Sequence, residues 1–129
     1  MSLLEQSKTY KPFKYPWAVN FAIDHEKIHW GEWEAKLQED VAQWRGNKLS
    51  EQEKHHITQI LRLFTQSDVQ VGTNYLEFYI PKFKNNEIRG MLSSFVNREF
   101  VHQRAYALLN DTLGLPEEEF SAFTEVKEM

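Results

Sequence analysis

Cysteine is absent from the 129-residue sequence, which excludes disulfides, thiolate metal ligands and thiol catalysis within the chain. No apolar run approaches the roughly 18 residues that a membrane-spanning helix needs. An excess of positive charge is missing as well: 15 Lys and Arg stand against 19 Asp and Glu, a formal net charge of −4, which argues against a general nucleic-acid binder. The N-terminal stretch lacks a continuous apolar segment and a small-residue cleavage site, so we expect no signal peptide, no membrane partner and a cytoplasmic protein.

Large apolar residues recur at steps of three and four along most of the chain, which predicts helices packed on a core. No convincing pair of strands is found, so we expect an all-α fold. Residues 1 to about 20 lack this regularity and carry Pro12 and Pro16, which predicts an extended segment. We therefore divide the chain into an N-terminal arm, 1–30, and a helical half-bundle, 31–129.

The helical spacing begins with a cluster of tryptophans. A first helix is predicted over residues 30–44 from five large residues: Trp30, Trp33, Leu37, Val41 and Trp44. Ser50 and Glu53 have the spacing of a capping box, which predicts that the next helix begins there and runs over about 51–76.

A second long helix is predicted over residues 87–112. Asn85 or Asn86 is suited to cap its first turn, and Gly114 is suited to end it. Pro116 then suits the first turn of a further helix. No cap, glycine or proline closes that last helix, so the sequence looks cut inside an element.

Ionisable side chains interrupt the apolar stripes of both long helices. On the second helix the stripe contains three of them, Glu99, His102 and Tyr106, at steps of three and four among Leu92, Phe95 and Leu109. Asp68 lies on the apolar stripe of the preceding helix. A core does not accept a carboxylate or an imidazole without a partner, so these misplaced polar groups can share one explanation.

Glu99-x-x-His102 places a carboxylate and an imidazole on one helix face, as in the cores of di-iron carboxylate proteins. Both groups suit Fe(II) or Mn(II). A hydrogen-bonded Glu–His pair or a water-exposed face would also account for this short motif, whereas Asp68 favours the ligand interpretation. Tyr106, one turn after His102, is either a core tyrosine with a hydrogen-bonded hydroxyl or a one-electron donor beside a metal.

Residues 25–29, HEKIH, match the H-E-x-x-H zinc pattern, with Glu26 as the general base. We do not expect a zinc site, because the segment follows the arm, runs into Trp30 rather than along a long helix, and has no clear third ligand. The adjacent His55 and His56 point to different faces, and we assign them to a solvated helix start.

Asp68, Glu99-x-x-His102 and Tyr106, at these spacings, resemble the first half of the radical-generating small (β) subunit of class I ribonucleotide reductase. Two longer stretches, HWGEWEAKLQEDVAQW and LSEQEKHHITQILRLFTQSD, resemble that family's tryptophan-to-tryptophan segment and its helix that delivers the aspartate ligand. The resemblance covers about residues 15–129.

The resemblance implies the first half of a ferritin-like helical bundle, in which Asp68, Glu99 and His102 ligate a di-iron or iron–manganese centre. Tyr106 matches the tyrosine that becomes a stable radical. Trp30 matches the tryptophan that carries an electron during cofactor assembly and lies on the radical path. That path leads to the large catalytic subunit, which reduces ribonucleotides for DNA replication.

Members of this family are about twice as long or more, and their second half supplies further glutamates and a second histidine. Three interpretations follow. The chain is part of a split subunit that a second polypeptide completes, which we rank first. Alternatively, two copies form a homodimeric ferritin-like di-iron protein. In the third interpretation the chain is a fragment without chemistry, serving as a helical interaction module.

Overall fold

The computed structural model describes residues 2–121, apart from the side chain of Glu119. All regular secondary structure in this range is helical, which confirms the all-α prediction. Within it, no helix combines the length and the apolar character required to cross a membrane. The remainder of the last predicted helix, from residue 122 onward, lies outside the described residues.

Within residues 2–121, the structure contains five α-helices, one 3₁₀ turn and one π-helical turn. In chain order the elements are α1 (Pro16–Lys27), the 3₁₀ turn (Glu32–Glu34), α2 (Gln38–Arg45), α3 (Glu51–Asn74), the π-helical turn (Tyr75–Tyr79), α4 (Asn86–Leu113) and α5 (Glu117–Ser121).

The start of α3 agrees with the prediction. The Ser50 hydroxyl accepts a hydrogen bond from the Glu53 backbone N–H at 3.2 Å, and the Glu53 carboxylate accepts one from the Ser50 N–H at 2.8 Å. This is the predicted capping box, which satisfies N–H groups that lack partners inside the helix. α3 itself ends at Asn74, and the π-helical turn continues the helical backbone to Tyr79, beyond the predicted limit of about residue 76.

Both ends of α4 also agree with the prediction. The Asn85 side-chain oxygen accepts a hydrogen bond from the Ile88 N–H at 3.1 Å and so caps the first turn. At the other end Gly114 has a φ of 74°, a left-handed conformation that glycine adopts without strain. The N–H of Leu115 donates to the Asn110 carbonyl at 3.0 Å, which closes the helix.

The prediction of an extended N-terminal segment is wrong from Pro16 onward, where α1 begins. Pro16 suits the first helical position, because its missing N–H would have no partner there. Ala18 on α1 is fully buried in a cluster with Ile88 and Leu92. Packing against α4, more than regular spacing within the segment, therefore stabilises this helix.

The prediction of one helix over residues 30–44 is wrong in its first half. Gly31 is extended, with φ −115° and ψ 155°, and its N–H donates to the Glu34 carboxylate at 2.7 Å. A 3₁₀ turn follows, and α2 begins only at Gln38. The extended backbone at Gly31 therefore interrupts the predicted helix immediately after its first residue.

A contact distant in sequence accompanies this interruption. The Glu32 carboxylate pairs with the Arg104 guanidinium at 2.7 Å, although the two residues are 72 positions apart. Trp33, which the predicted stripe placed on a core face, is 71% exposed. The local pattern of large residues could not reveal this ion pair.

The chain divides into two compact units, with breaks after Trp30, Val69 and Phe100. Unit 1 contains the chain up to Trp30 together with residues 70–100, and its core is the cluster around Ala18. Unit 2 contains residues 31–69 and the chain from Val101 onward. Segments of α3 and α4 belong to each unit.

A buried carboxylate joins the N-terminal segment to α4 within unit 1. Glu87 is 6% exposed, and its oxygen accepts hydrogen bonds from the backbone N–H groups of Lys14 at 2.7 Å and Tyr15 at 3.4 Å. Burial alone would raise the pKa of Glu87. Hydrogen bonds to the charged form outweigh burial, so its pKa lies below the ordinary value of 4.5.

Replacing Glu87 by glutamine should therefore destabilise the chain. Hydrogen bonds to a charged acceptor contribute about 1.5–3 kcal/mol, and a neutral amide oxygen retains only part of this. We expect Glu87→Gln to lower the free energy of unfolding by about 1–3 kcal/mol, measured by urea denaturation followed by circular dichroism. The exposed Glu77, changed to glutamine, provides a matched control.

The pH dependence provides a second test of the same contact. The pKa of Glu87 is lower in the folded chain than in the unfolded chain. Its contribution to the free energy of unfolding is therefore complete above the pKa of the unfolded chain, and it is lost as the pH falls through the pKa of the folded chain. The difference in stability between the parent chain and Glu87→Gln should therefore shrink below about pH 4. A difference that stayed constant down to pH 2 would contradict this account.

Candidate metal centre

The three predicted ligands lie close together in the structure. Asp68, Glu99 and His102 each offer one ligand atom, and these atoms all lie within 4.8 Å of one another. Glu99 and His102 are one turn apart on α4, and Asp68 is on α3. All three side chains are half-buried. The geometry predicted from the two interrupted apolar stripes is therefore present.

The cluster has the chemistry of a divalent metal site. Burial raises the pKa of Asp68, and the positive charge of His102 offsets this only in part. Two carboxylates and one imidazole make a group that a divalent cation would balance. Oxygen and nitrogen ligands at about 2.1 Å from an ion are at most about 4.2 Å apart, so small side-chain rotations suffice to place these atoms around one ion.

Hydrogen bonds between α3 and α4 in unit 2 hold the backbone near Asp68. The side-chain amide of Gln103 donates to the Asp68 backbone carbonyl at 3.1 Å. Two turns further along α4, the amide of Asn110 donates to the Thr65 hydroxyl at 3.2 Å. Sequence analysis missed Gln103, Thr65 and Asn110, because polar residues at these positions have no distinguishing spacing.

Tyr106 lies beside this part of the site. It is half-buried, and its ring stacks on Phe64 with centroids 6.3 Å apart and an interplanar angle of 6°. Burial raises the pKa of its phenol, and the negative charge of Asp68 raises it further. The hydroxyl therefore keeps its proton at neutral pH. Phe64, which was not predicted as part of the site, lies beside the ring.

Trp30 is partly exposed and contacts a cation. It is 37% exposed, and the guanidinium carbon of Arg98 lies 5.7 Å from its ring centroid. Its role in electron transfer stays a prediction. A further aromatic residue, Tyr75, was not predicted as part of the site. Burial raises the pKa of Tyr75, with additional contributions from the charge of Glu99 and from Tyr79.

The HEKIH segment has a different environment. His25 and Glu26 are in the last turn of α1, whereas His29 lies beyond the end of the helix. All three line a cavity of about 290 Å³, and the His25 ring packs edge-on against Phe95 at 5.1 Å. Among residues 2–121, one group of three or more acidic or histidine side chains could hold a metal ion, and it consists of Asp68, Glu99 and His102.

Comparison with known proteins agrees with this geometry. A sequence model of the family described as ribonucleotide reductase, small chain, matches residues 7–129. The chain belongs to the ribonucleotide reductase small-chain family. The resemblance seen in the ligand spacing is thereby confirmed at the level of the family, and so is the class of fold, the first part of a ferritin-like helical bundle.

Individual members of the ribonucleotide reductase small-chain family are much longer than this chain. The chain is 42% identical over 129 residues to a probable ribonucleoside-diphosphate reductase small subunit of Invertebrate iridescent virus 6, covering 36% of that protein. The corresponding protein of Invertebrate iridescent virus 3 is 41% identical, with 34% covered. The subunit beta of Chlamydia pneumoniae is 30% identical over 115 residues, with 33% covered. The chain thus spans about a third of the length of these relatives.

Titration with Mn(II) tests whether the cluster binds a cation. Paramagnetic broadening of histidine ring signals in NMR spectra detects even weak binding. We expect His102 to broaden at lower Mn(II) concentrations than the other four histidines, His25, His29, His55 and His56. Asp68→Asn should raise the Mn(II) concentration required by at least about tenfold, whereas the exposed Asp24→Asn should not change it. Equal broadening of all five histidines would contradict the assignment.

Proposed function

We propose that this chain supplies half of the metal centre of a ribonucleoside-diphosphate reductase small subunit, di-iron or iron–manganese, and carries its radical on Tyr106. The observation that supports this most directly is the convergence of Asp68, Glu99 and His102 within 4.8 Å. Tyr106 lies close enough to Asp68 for the charge of that carboxylate to affect its pKa.

Each side chain of the site has a separate task in this proposal. The carboxylate oxygens of Asp68 and Glu99 and a ring nitrogen of His102 hold the metal. When bound, such a centre supplies, together with oxygen, the oxidising equivalent that removes one electron from a tyrosine. Tyr106 loses that electron together with the proton on its hydroxyl. We assign Asp68 as the acceptor of this proton, because its charge already acts on the phenol.

Phe64 protects the oxidised ring. Its ring lies parallel to that of Tyr106, with centroids 6.3 Å apart, and so forms part of the apolar wall beside the phenol. The oxidising equivalent then passes to the large catalytic subunit, where nucleotide reduction takes place. Trp30 is the residue that we assign to the beginning of this path.

A second polypeptide completes the centre in this proposal. Its docking surface in this proposal includes apolar residues of α3 in unit 2 that are between 38% and 49% exposed: Ile60, Leu63, Phe64 and Val69. An exposed patch of large apolar side chains is typical of an interaction site. The partner is helical and carries the remaining carboxylates and the second histidine, as in other di-metal bundles.

Metal and mass measurements distinguish this proposal from its alternatives. The split subunit predicts two metals per heterodimer of this chain and its partner. A homodimeric ferritin-like protein predicts two metals per two identical chains, and a helical interaction module predicts none. Light scattering combined with elemental analysis of this chain, alone and with its partner, measures both quantities. A monomer of this chain with two tightly bound metals would contradict all three.

The radical assignment is tested by changing Tyr106 to phenylalanine in the completed assembly. After addition of Fe(II) and oxygen, we expect the parent to give a tyrosyl radical signal by electron paramagnetic resonance. Tyr106→Phe should abolish the signal and keep the metal content, because the phenol is not assigned as a ligand. The exposed Tyr10→Phe serves as the control. If Tyr106→Phe kept the same signal, the spin would reside elsewhere.

A further inference from the structure

We propose that Arg98 tunes the oxidation of Trp30. Its guanidinium, held over the indole ring, makes Trp30 harder to oxidise by one electron and shortens the time that an electron hole remains on the ring. The use of this effect in radical transfer rests on the proposed function. The effect on the indole itself does not, so the two can be tested separately.

The contact belongs to unit 1 and is well defined. The guanidinium carbon of Arg98 lies 5.7 Å from the centroid of the Trp30 ring, within the usual range of a cation–π interaction. A terminal nitrogen of the guanidinium donates a hydrogen bond to the Ile28 carbonyl at 3.3 Å. Ile28 is two residues before Trp30, so Arg98 binds both the ring and the backbone that leads to it.

The charge of Arg98 is poorly shielded. The residue is 8% exposed, although a guanidinium stays protonated in proteins. Its Nε has no hydrogen-bond partner in the part of the chain that the structure describes. None of the ion pairs found among residues 2–121 involves Arg98. A buried cation in this state acts directly on the indole beside it.

Both oxidation states of Trp30 respond to this cation. The neutral ring is stabilised, because its negative face attracts the guanidinium. When the indole loses one electron to an oxidant, which is reduced by one electron, the ring becomes a cation and is repelled. The proton on Nε1 stays in place during this step. The cation therefore favours the reduced ring over the oxidised ring on both counts.

The size of the effect follows from the distance. The repulsion between two unit charges 5.7 Å apart would shift the one-electron oxidation equilibrium of the indole by about threefold in bulk water. At an effective dielectric constant of about 20, the shift would be about a hundredfold. Arg98 is buried and Trp30 is partly exposed, so the environment lies between these limits. We expect removal of the charge to favour oxidation of Trp30 by about tenfold, equivalent to about 1.4 kcal/mol.

The chain itself contains suitable references. Trp17 and Trp33 are more exposed than Trp30, and neither has a cation over its ring in the described residues. Arg89 is on the same helix as Arg98 and has no ring contact there. The variant Arg89→Met therefore controls for the loss of one positive charge.

The experiment oxidises the metal-free chain with photogenerated tris(bipyridine)ruthenium(III), which accepts one electron. Oxygen in the buffer traps tryptophan radicals as N-formylkynurenine, which peptide mass spectrometry locates. In Arg98→Met, which keeps length without charge, we expect the yield at Trp30 relative to Trp17 and Trp33 to rise by about tenfold. Arg98→Lys, which keeps the charge, should stay near the parent, as should Arg89→Met.

Two results would overturn the proposal. An unchanged yield at Trp30 in Arg98→Met would show that the charge has no effect. An equal rise in Arg98→Met and Arg98→Lys would show that the guanidinium only covers the ring. Arg98→Gln keeps a donor for the Ile28 carbonyl and replaces Arg98→Met if circular dichroism shows that the latter is unfolded. Since no metal is added, a negative result here would not contradict the metal-centre proposal. Failure of the metal-centre proposal would likewise not contradict the effect of Arg98 on Trp30.

Discussion

A half-buried carboxyl group on an apolar helix face needs a compensating charge nearby, and at Asp68 this requirement determines the surroundings. His102 provides part of the compensation, but burial still dominates the pKa of Asp68. Glu99 adds a second carboxylate within 4.8 Å, which one imidazole cannot balance. A divalent cation removes the repulsion between the two carboxylates, and this is the physical reason for regarding the cluster as a metal centre.

The same requirement links the ligands to the tyrosine beside them. Gln103 holds the Asp68 carbonyl at 3.1 Å, so the aspartate backbone cannot move independently of α4. Tyr106, one turn after His102, is close enough to Asp68 for that charge to raise its pKa, and its ring stacks on Phe64. Within unit 2, the same contacts between α3 and α4 therefore position both the Asp68 carboxylate and the Tyr106 phenol.

Local signals in the sequence predicted the long helices well, and they predicted that Asp68 lies close to Glu99 and His102. Ser50, Asn85 and Gly114 act through hydrogen bonds or backbone conformation within a few residues, so their effects could be derived from spacing. The errors arise where distant contacts decide. Burial of Ala18 against α4 stabilises α1, and the pairing of Glu32 with a residue 72 positions away accompanies the break in the predicted 30–44 helix.

The most direct test of the central claim is the nitrogen coupling of a bound paramagnetic metal. Pulsed electron paramagnetic resonance of the Mn(II)-loaded chain detects an imidazole nitrogen only when it ligates the ion. The account predicts coupling to one histidine, which is lost in His102→Gln and retained in His25→Gln. Coupling that survives in His102→Gln, or that disappears in His25→Gln, would contradict the assignment of Asp68, Glu99 and His102 as the metal site.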